Sequence, residues 1–286
     1  MINLPHIPRS LKPRLKGYAK SLRKQYRQLA HGFGTSELER ALRKVGLQSR
    51  DVVMVHSSLD QFEGFHGKAT DIIAVLRTVV EPEGTILMPT IPFTGTALEY
   101  IKSSAVFDVL RTPSQMGLIT ELFRRTPGVL RSVHPTHSVA GWGARAQEML
   151  QGHNFAETPC GSSSPYGRLA KMDGKILLLG VGIEAMTFFH ALEEELEPMM
   201  PFSPFTQETF EVMSRASDGS VIPTSTRLFD PAVSRRRNIH QLVPALKERG
   251  YWHEAYAGRL RCLLLDARDV AETCWSMART GKFCYD

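Results

Sequence analysis

Asp51-Val-Val-Met-Val-His56-Ser57-Ser58-Leu59 begins as a short apolar run and ends in polar residues. A valine-rich run of this length reads as a buried strand, and its carboxyl end delivers His56, Ser57 and Ser58. In open α/β sheets ligands bind outside the carboxyl ends of the strands. This one stretch therefore sets both the fold class and the place to look for chemistry.

Working outward, the next segments alternate. Thr35-Ser36 with Glu39 is a capping signal for a helix over 36–46, closed by Gly46. Thr70 to Val80 is predicted as a helix, Gly84-Thr-Ile-Leu-Met-Pro89 as a strand, and Pro113 to Arg125 as a helix. Val139 to Trp142 is a short strand and Ala144 to Leu150 a helix. Lys175-Ile-Leu-Leu-Leu-Gly180 is a strongly apolar strand, followed by a helix from Thr187 to Leu196. Strands alternating with helices argue a layered α/β fold. The last third differs. Glu208–Ser214 and Val221–Ser225 read as a hairpin around Ser217-Asp218-Gly219-Ser220. A mostly helical stretch at 235–249, a strand at 259–265 and a helix at 267–279 complete the chain.

Bulk properties narrow the class. At 286 residues, 42% hydrophobic and 22% charged, the chain is an ordinary globular protein whose length fits one large α/β domain or one domain with a small lobe. It contains neither a membrane-span-length apolar window nor a secretory leader, which makes a cytoplasmic protein the expectation. Cys160, Cys262, Cys274 and Cys284 match no metal-knuckle spacing and read as reduced thiols. The net charge of +6 is local: residues 1–36 hold eight basic residues and no acidic one, leaving 27 basic against 29 acidic elsewhere. A nearly neutral body argues against nucleic-acid binding. Leu11, Leu15, Tyr18, Leu22, Tyr26 and Leu29 give the leader one apolar helical face. Such a basic helix either makes weak contact with an anionic membrane surface or packs on its own domain or on a second subunit of a homodimer. His31-Gly32-Phe33-Gly34 ends it as a hinge, so the expected division is an extension at 1–34 and a catalytic domain at 35–286.

Three segments carry candidate chemistry: His56-Ser57-Ser58, the polar loop Arg131–Ser138, and His190-Ala-Leu-Glu193. His190 and Glu193 are three apart and share a helical face. A carboxylate beside an imidazole fixes its tautomer and stabilises its charged form, as a general base requires. Chance charge on a surface helix is the bland alternative, given Glu193-Glu194-Glu195 and Glu197. Gly64 and Gly67 would let backbone N–H groups approach a phosphate or thioester oxygen. His134, His137 and His190 offer a second reading, a metal-dependent hydrolase. Phosphate-loop, dinucleotide and nucleophile-elbow motifs are missing.

In order along the chain, Val55-His56-Ser57-Ser58-Leu59, Gly64-Phe-His-Gly67, Gly84-Thr-Ile-Leu-Met-Pro89-Thr90, Thr112-Pro-Ser-Gln-Met-Gly117, Pro127-Gly-Val-Leu-Arg131-Ser-Val-His134-Pro-Thr-His-Ser138 and Thr187-Phe-Phe-His190-Ala-Leu-Glu193 resemble the aminoglycoside 3-N-acetyltransferase family. The resemblance implies an α/β/α layered fold with a mixed central sheet, distinct from GNAT acetyltransferases. It implies acetyl-CoA as co-substrate, no metal, and His190 as the base with Glu193 behind it. The co-substrate would lie against His56, Ser57, Ser58, Leu59, Gly64, Gly67, Arg131, Ser132, His134 and Ser138, with Lys68 meeting a phosphate. The acceptor would be an amine of an aminoglycoside or other amino-sugar-like molecule. One departure matters: where resistance enzymes commonly carry His-Pro-Asp-Ala-Ser, this chain has His134-Pro-Thr-His137-Ser138, losing an acidic residue that a polycationic drug would favour.

Overall fold

The computed structural model describes residues 32–103 and 106–286. The leader helix expected over 11–29 lies outside the described residues.

Among the described residues, ten strands form two sheets. β1 (Val52–Ser57), β2 (Thr85–Pro89), β4 (Leu130–Arg131), β5 (Val139–Gly143), β6 (Lys175–Leu179), β9 (His253–Ala257) and β10 (Leu260–Asp266) build a seven-stranded sheet in the order β4-β5-β2-β1-β6-β10-β9. Its centre is parallel, β2 and β6 both running with β1, and its flanks are antiparallel. It is the mixed sheet the resemblance implies. β3 (Phe107–Asp108), β7 (Phe205–Arg215) and β8 (Val221–Phe229) form a second, smaller sheet.

The period of two along each strand divides the core. Val53, Val55, Ile86, Met88, Leu177, Leu179 and Leu264 face the layer made by helices Thr35–Val45, Ala69–Val80 and Leu118–Arg124. Val52, Met54, Leu87, Ile176, Leu178, Leu263 and Leu265 face the opposite layer, with helices Phe189–Leu196 and Ala267–Ala278. Strands buried on both faces need apolar residues at every position, which is why 176–179 reads as one unbroken run. Each such Leu or Ile contributes about 1.5–3 kcal/mol through burial.

Several boundaries move for identifiable reasons. The first helix is capped by Gly34, not by Thr35-Ser36: the Glu37 carboxylate reaches back to the Gly34 N–H at 2.9 Å. Glu39 instead pairs with Arg43 one turn on, at 2.9 Å. Phe33, expected in a hinge, is 2% exposed; its N–H donates to the Gly64 carbonyl and its ring lies 5.3 Å from Phe65. The helix expected from Pro113 begins only at Leu118, because Gly117 has φ +100° and the Ser114 N–H turns to the Glu121 carboxylate at 2.8 Å. Edge strand β9 was not anticipated; His253, Glu254 and Tyr256 are exposed and blur its apolar alternation. The four cysteines are buried free thiols. Among the described residues no helix is long and apolar enough to cross a membrane.

Candidate active site

β6 leads through residues 180–188 into the helix Phe189–Leu196, which starts beside the carboxyl end of β1. His190 occupies its first turn and Glu193 follows one turn later. The His190 Nδ1–H donates to Glu193 Oε2 at 2.6 Å. A carboxylate only accepts, so the bond holds the proton on Nδ1 and leaves Nε2 with its lone pair. The His190 side chain is 19% exposed and the Glu193 side chain 1%.

Glu193 is held from its other oxygen. Arg237 Nε donates to Oε1 at 2.6 Å, and the Tyr285 hydroxyl donates to the same oxygen. An antiparallel bridge between Arg237 and Tyr285 brings these distant segments to one carboxylate. Burial raises the Glu193 pKa, but the His190 hydrogen bond and charge and the Arg237 charge outweigh it, so the group stays ionised, below its ordinary value. For His190, burial and then the Arg237 charge lower the pKa more than Glu193 raises it. The imidazole is therefore neutral at pH 7 and ready to accept a proton at Nε2. Asp230, which follows Phe229, accepts from the Ala232 N–H at 2.6 Å and caps the next short helix. Glu194 differs from Glu193 in kind: burial pushes it up to about 8, and it accepts from the Cys160 N–H at 2.8 Å and from the Thr158 hydroxyl.

His190 opens onto a cavity of about 600 Å³. Ile91, Phe93, Met116 and Phe229 give it apolar walls; His137, Arg235 and Arg237 are its other charged or titratable lining groups. The Phe229 ring lies 4.7 Å from the His190 ring, and the His137 ring 6.0 Å away, edge-on.

The sequence-predicted residues separate into two sets. His56, at the end of β1, is 8% exposed; burial and then the nearby His190 push its pKa down to about 3. His56 Nε2 and Ser57 Oγ are buried without a hydrogen-bond partner. Ser58 and Leu59 follow as the strand gives way to a short 3-10 turn. Gly64 has φ +86°, and a Cβ at Gly67 would sit 2.7 Å from the Phe65 ring, so both glycines serve the turn before the helix at 69–80. Lys68 caps that helix through Asp71, at 2.7 Å, and its side chain is exposed.

The second set is largely hydrogen-bonded within the fold, although Arg131 and Ser132 also line a separate cavity of about 320 Å³. Arg131 donates to Thr90 Oγ1, Ser138 Oγ and the carbonyls of Thr90, Val109 and Thr112, at 2.6–3.2 Å. Ser132 Oγ bonds His153 Nδ1 at 2.9 Å and accepts from the Val139 N–H at 2.8 Å. His134 is fully buried; its Nδ1 accepts N–H groups of Thr136 and His137, and its ring stacks on His153 at 4.5 Å. Ser138 Oγ donates to the Thr90 carbonyl at 3.0 Å. These bonds brace β4 and β5, while His134 Nε2 is, like His56 Nε2, buried without a hydrogen-bond partner. The hydrolase alternative is not supported: among the described residues no three His, Cys, Asp or Glu side chains converge as a ligand set. Arg237, Tyr285 and Phe229 were not anticipated, lying 44, 92 and 39 residues from the Glu193 or His190 they touch.

The site thus combines a carboxylate-held imidazole with a cavity beside a mixed α/β sheet. Residues 54–278 match the family model for aminoglycoside 3-N-acetyltransferase, and the chain belongs to that family of acyltransferases. A similar relative is aminoglycoside N(3)-acetyltransferase IV of Salmonella sp, 31% identical over 240 residues, or 83% of this chain and 84% of the relative. The crystal structure of aminoglycoside acetyltransferase AAC(3)-Xa superposes with a TM-score of 0.76 at 24% identity, covering 90% of this chain and 95% of that one. The structure of AAC-IIIb in binary complex with CoASH superposes with a TM-score of 0.70 at 23% identity, covering 86% and 97%.

Proposed function

We propose that the protein transfers an acetyl group from acetyl-CoA to an amine of an aminoglycoside or other amino-sugar-like small molecule, with His190 as general base. The observation that carries this reading is the His190 ring on the wall of a cavity of about 600 Å³, its Nδ1–H held by Glu193 at 2.6 Å so that Nε2 keeps its lone pair. The co-substrate supplies an acyl group activated as a thioester. Two orphaned buried atoms, His56 Nε2 and Ser57 Oγ, support its placement at the end of β1, where they offer polar partners to a ligand.

The attacking amine arrives as an ammonium and must lose a proton to expose its lone pair. That first proton passes to solvent; as the free amine bonds to the thioester carbonyl carbon His190 Nε2 takes a second, and when the C–S bond breaks the imidazolium returns it to the departing thiolate, leaving the amide and free CoA. Glu193 stabilises the imidazolium, while Arg237 and Tyr285 hold Glu193 in place. Ser57 and the backbone N–H groups around Ser58 serve as donors for charge growing on the carbonyl oxygen. No covalent acyl-enzyme is needed. Following release of CoA thiol from acetyl-CoA across aminoglycosides and simple amino sugars tests the reading. Turnover that His190→Ala abolishes is expected, and turnover it leaves intact overturns the assignment.

A further inference from the structure

The cavity that His190 faces has an unexpected charge for this family name. Its lining includes Arg235 and Arg237 and, among the described residues, no carboxylate. The residues outside the description cannot supply one from this chain, because residues 1–31, Ser104 and Ala105 include no Asp or Glu. The nearest acids are otherwise engaged: Glu193 lies behind His190 in its ion pair with Arg237, Asp230 caps a helix, and Glu99 closes on the Thr96 N–H at 3.1 Å.

The three successive arginines have different employment. Arg237 pairs with Glu193, and Arg236 donates to the Asp286 carbonyl at 2.7 Å. Arg235 is exposed, lines the cavity, and has no side-chain hydrogen bond or ion pair among the described residues. The candidate co-substrate segments, His56 to Leu59 and Gly64 to Lys68, contribute nothing to these walls. His190 therefore separates a thioester side from this side, which is left for the acceptor.

Resting on the proposed acyl-transfer function, we propose that the acceptor is an amine that also carries an anionic group, a phosphate or a carboxylate, which Arg235 binds while His190 deprotonates the amine. A polycation would bring several ammonium groups against Arg235 and Arg237 with no carboxylate to receive them. A planar guanidinium on the rim matches a phosphate or carboxylate in two-point hydrogen bonding. The apolar walls from Ile91, Phe93, Met116 and Phe229 suit the carbon skeleton between the two ends.

The test compares matched acceptors by CoA-thiol release: glucosamine against glucosamine 6-phosphate, 4-aminobutyrate against its methyl amide, and gentamicin as the polycation. In at least one pair the anionic member should have the lower KM, by about 10- to 100-fold, as for a hydrogen bond to a charged group. Arg235→Gln should erase that gap and Arg235→Glu should reverse it, mainly in KM. Because Arg235 is exposed, both variants should fold, and an unchanged Tm checks this. Turnover of gentamicin or of the neutral members with no preference for the anion, or a preference that Arg235→Glu leaves unmoved, overturns the charge rule and leaves acyl transfer standing. Release of no CoA with any of the five amines overturns both.

Discussion

Two histidine-bearing regions, the loop 131–138 with His153 and the helix 189–196, meet at the same end of the sheet but have opposite roles. His134 and His153 are buried and stacked at 4.5 Å; both nitrogens of His153 are bonded, to the Ser132 hydroxyl and the Pro159 carbonyl, and Nδ1 of His134 accepts backbone N–H groups. Their neutrality is a cost of burial: desolvation holds His153 at about 3 and His134 well below its ordinary value. His190 is also neutral, yet it has a carboxylate on one nitrogen and a cavity before the other. The carboxylate makes a charged imidazole tolerable at 190, whereas nothing comparable does so at 134 or 153. A buried histidine becomes a base when something stands ready to stabilise its protonated form.

Substitutions can break this contrast. The largest effect is expected at His190: alanine should lower acyl transfer by about 10²–10⁴-fold while leaving the urea midpoint nearly unchanged. The converse is expected at His153. Alanine there strands the Pro159 carbonyl and the Ser132 hydroxyl, both at 2.9 Å, and should cost about 3 kcal/mol of stability in urea titrations. Its turnover per folded molecule should stay within severalfold of the parent. Should the two variants exchange phenotypes, the roles assigned here are reversed.

Glu193→Gln sharpens the comparison by making His190 more like His134. Without the carboxylate the imidazolium loses its support, so the acidic limb of the kcat/KM profile should move to lower pH by about one unit or more, as the maximum rate falls. Acid titration of the fold probes the other region. His153 binds protons near 6.5 when unfolded but only near 3 when folded, so the unfolded chain takes up more protons in that window. Stability should therefore fall as pH drops from 6.5 toward 3, and His153→Gln should flatten the slope measured by chemical denaturation. Tyr285→Phe, which removes one donor from Glu193, is the mildest change, expected to cost about 1 kcal/mol, read as a severalfold loss of activity.

How much of this was legible in the sequence depends on range. The run at 176–179 had to be a doubly buried strand, and the three-residue step from His190 to Glu193 had to place both on one helical face, because local geometry decides each. The Glu37 cap on Gly34 was misread although it is equally local, since Thr35-Ser36 offered a stronger-looking alternative. Arg131 could not be read correctly from its neighbours. Its partners at Thr90, Val109 and Thr112 arrive through tertiary folding, and a basic residue in a polar loop looks the same whether it awaits a ligand or is already saturated. For the same reason Arg237 and Tyr285 carry no local signal: a bridge between remote segments brings them to Glu193.

That bridge has a consequence for synthesis. Tyr285 leaves the ribosome 92 residues after Glu193, a delay of roughly 5–20 s at ordinary elongation rates. The central sheet strand β6, the His190 helix and Arg237 all emerge earlier. A nascent or truncated polypeptide lacking residue 285 would hold its imidazole against an incompletely tethered carboxylate, so the site is completed only some 92 residues after Glu193 has been made.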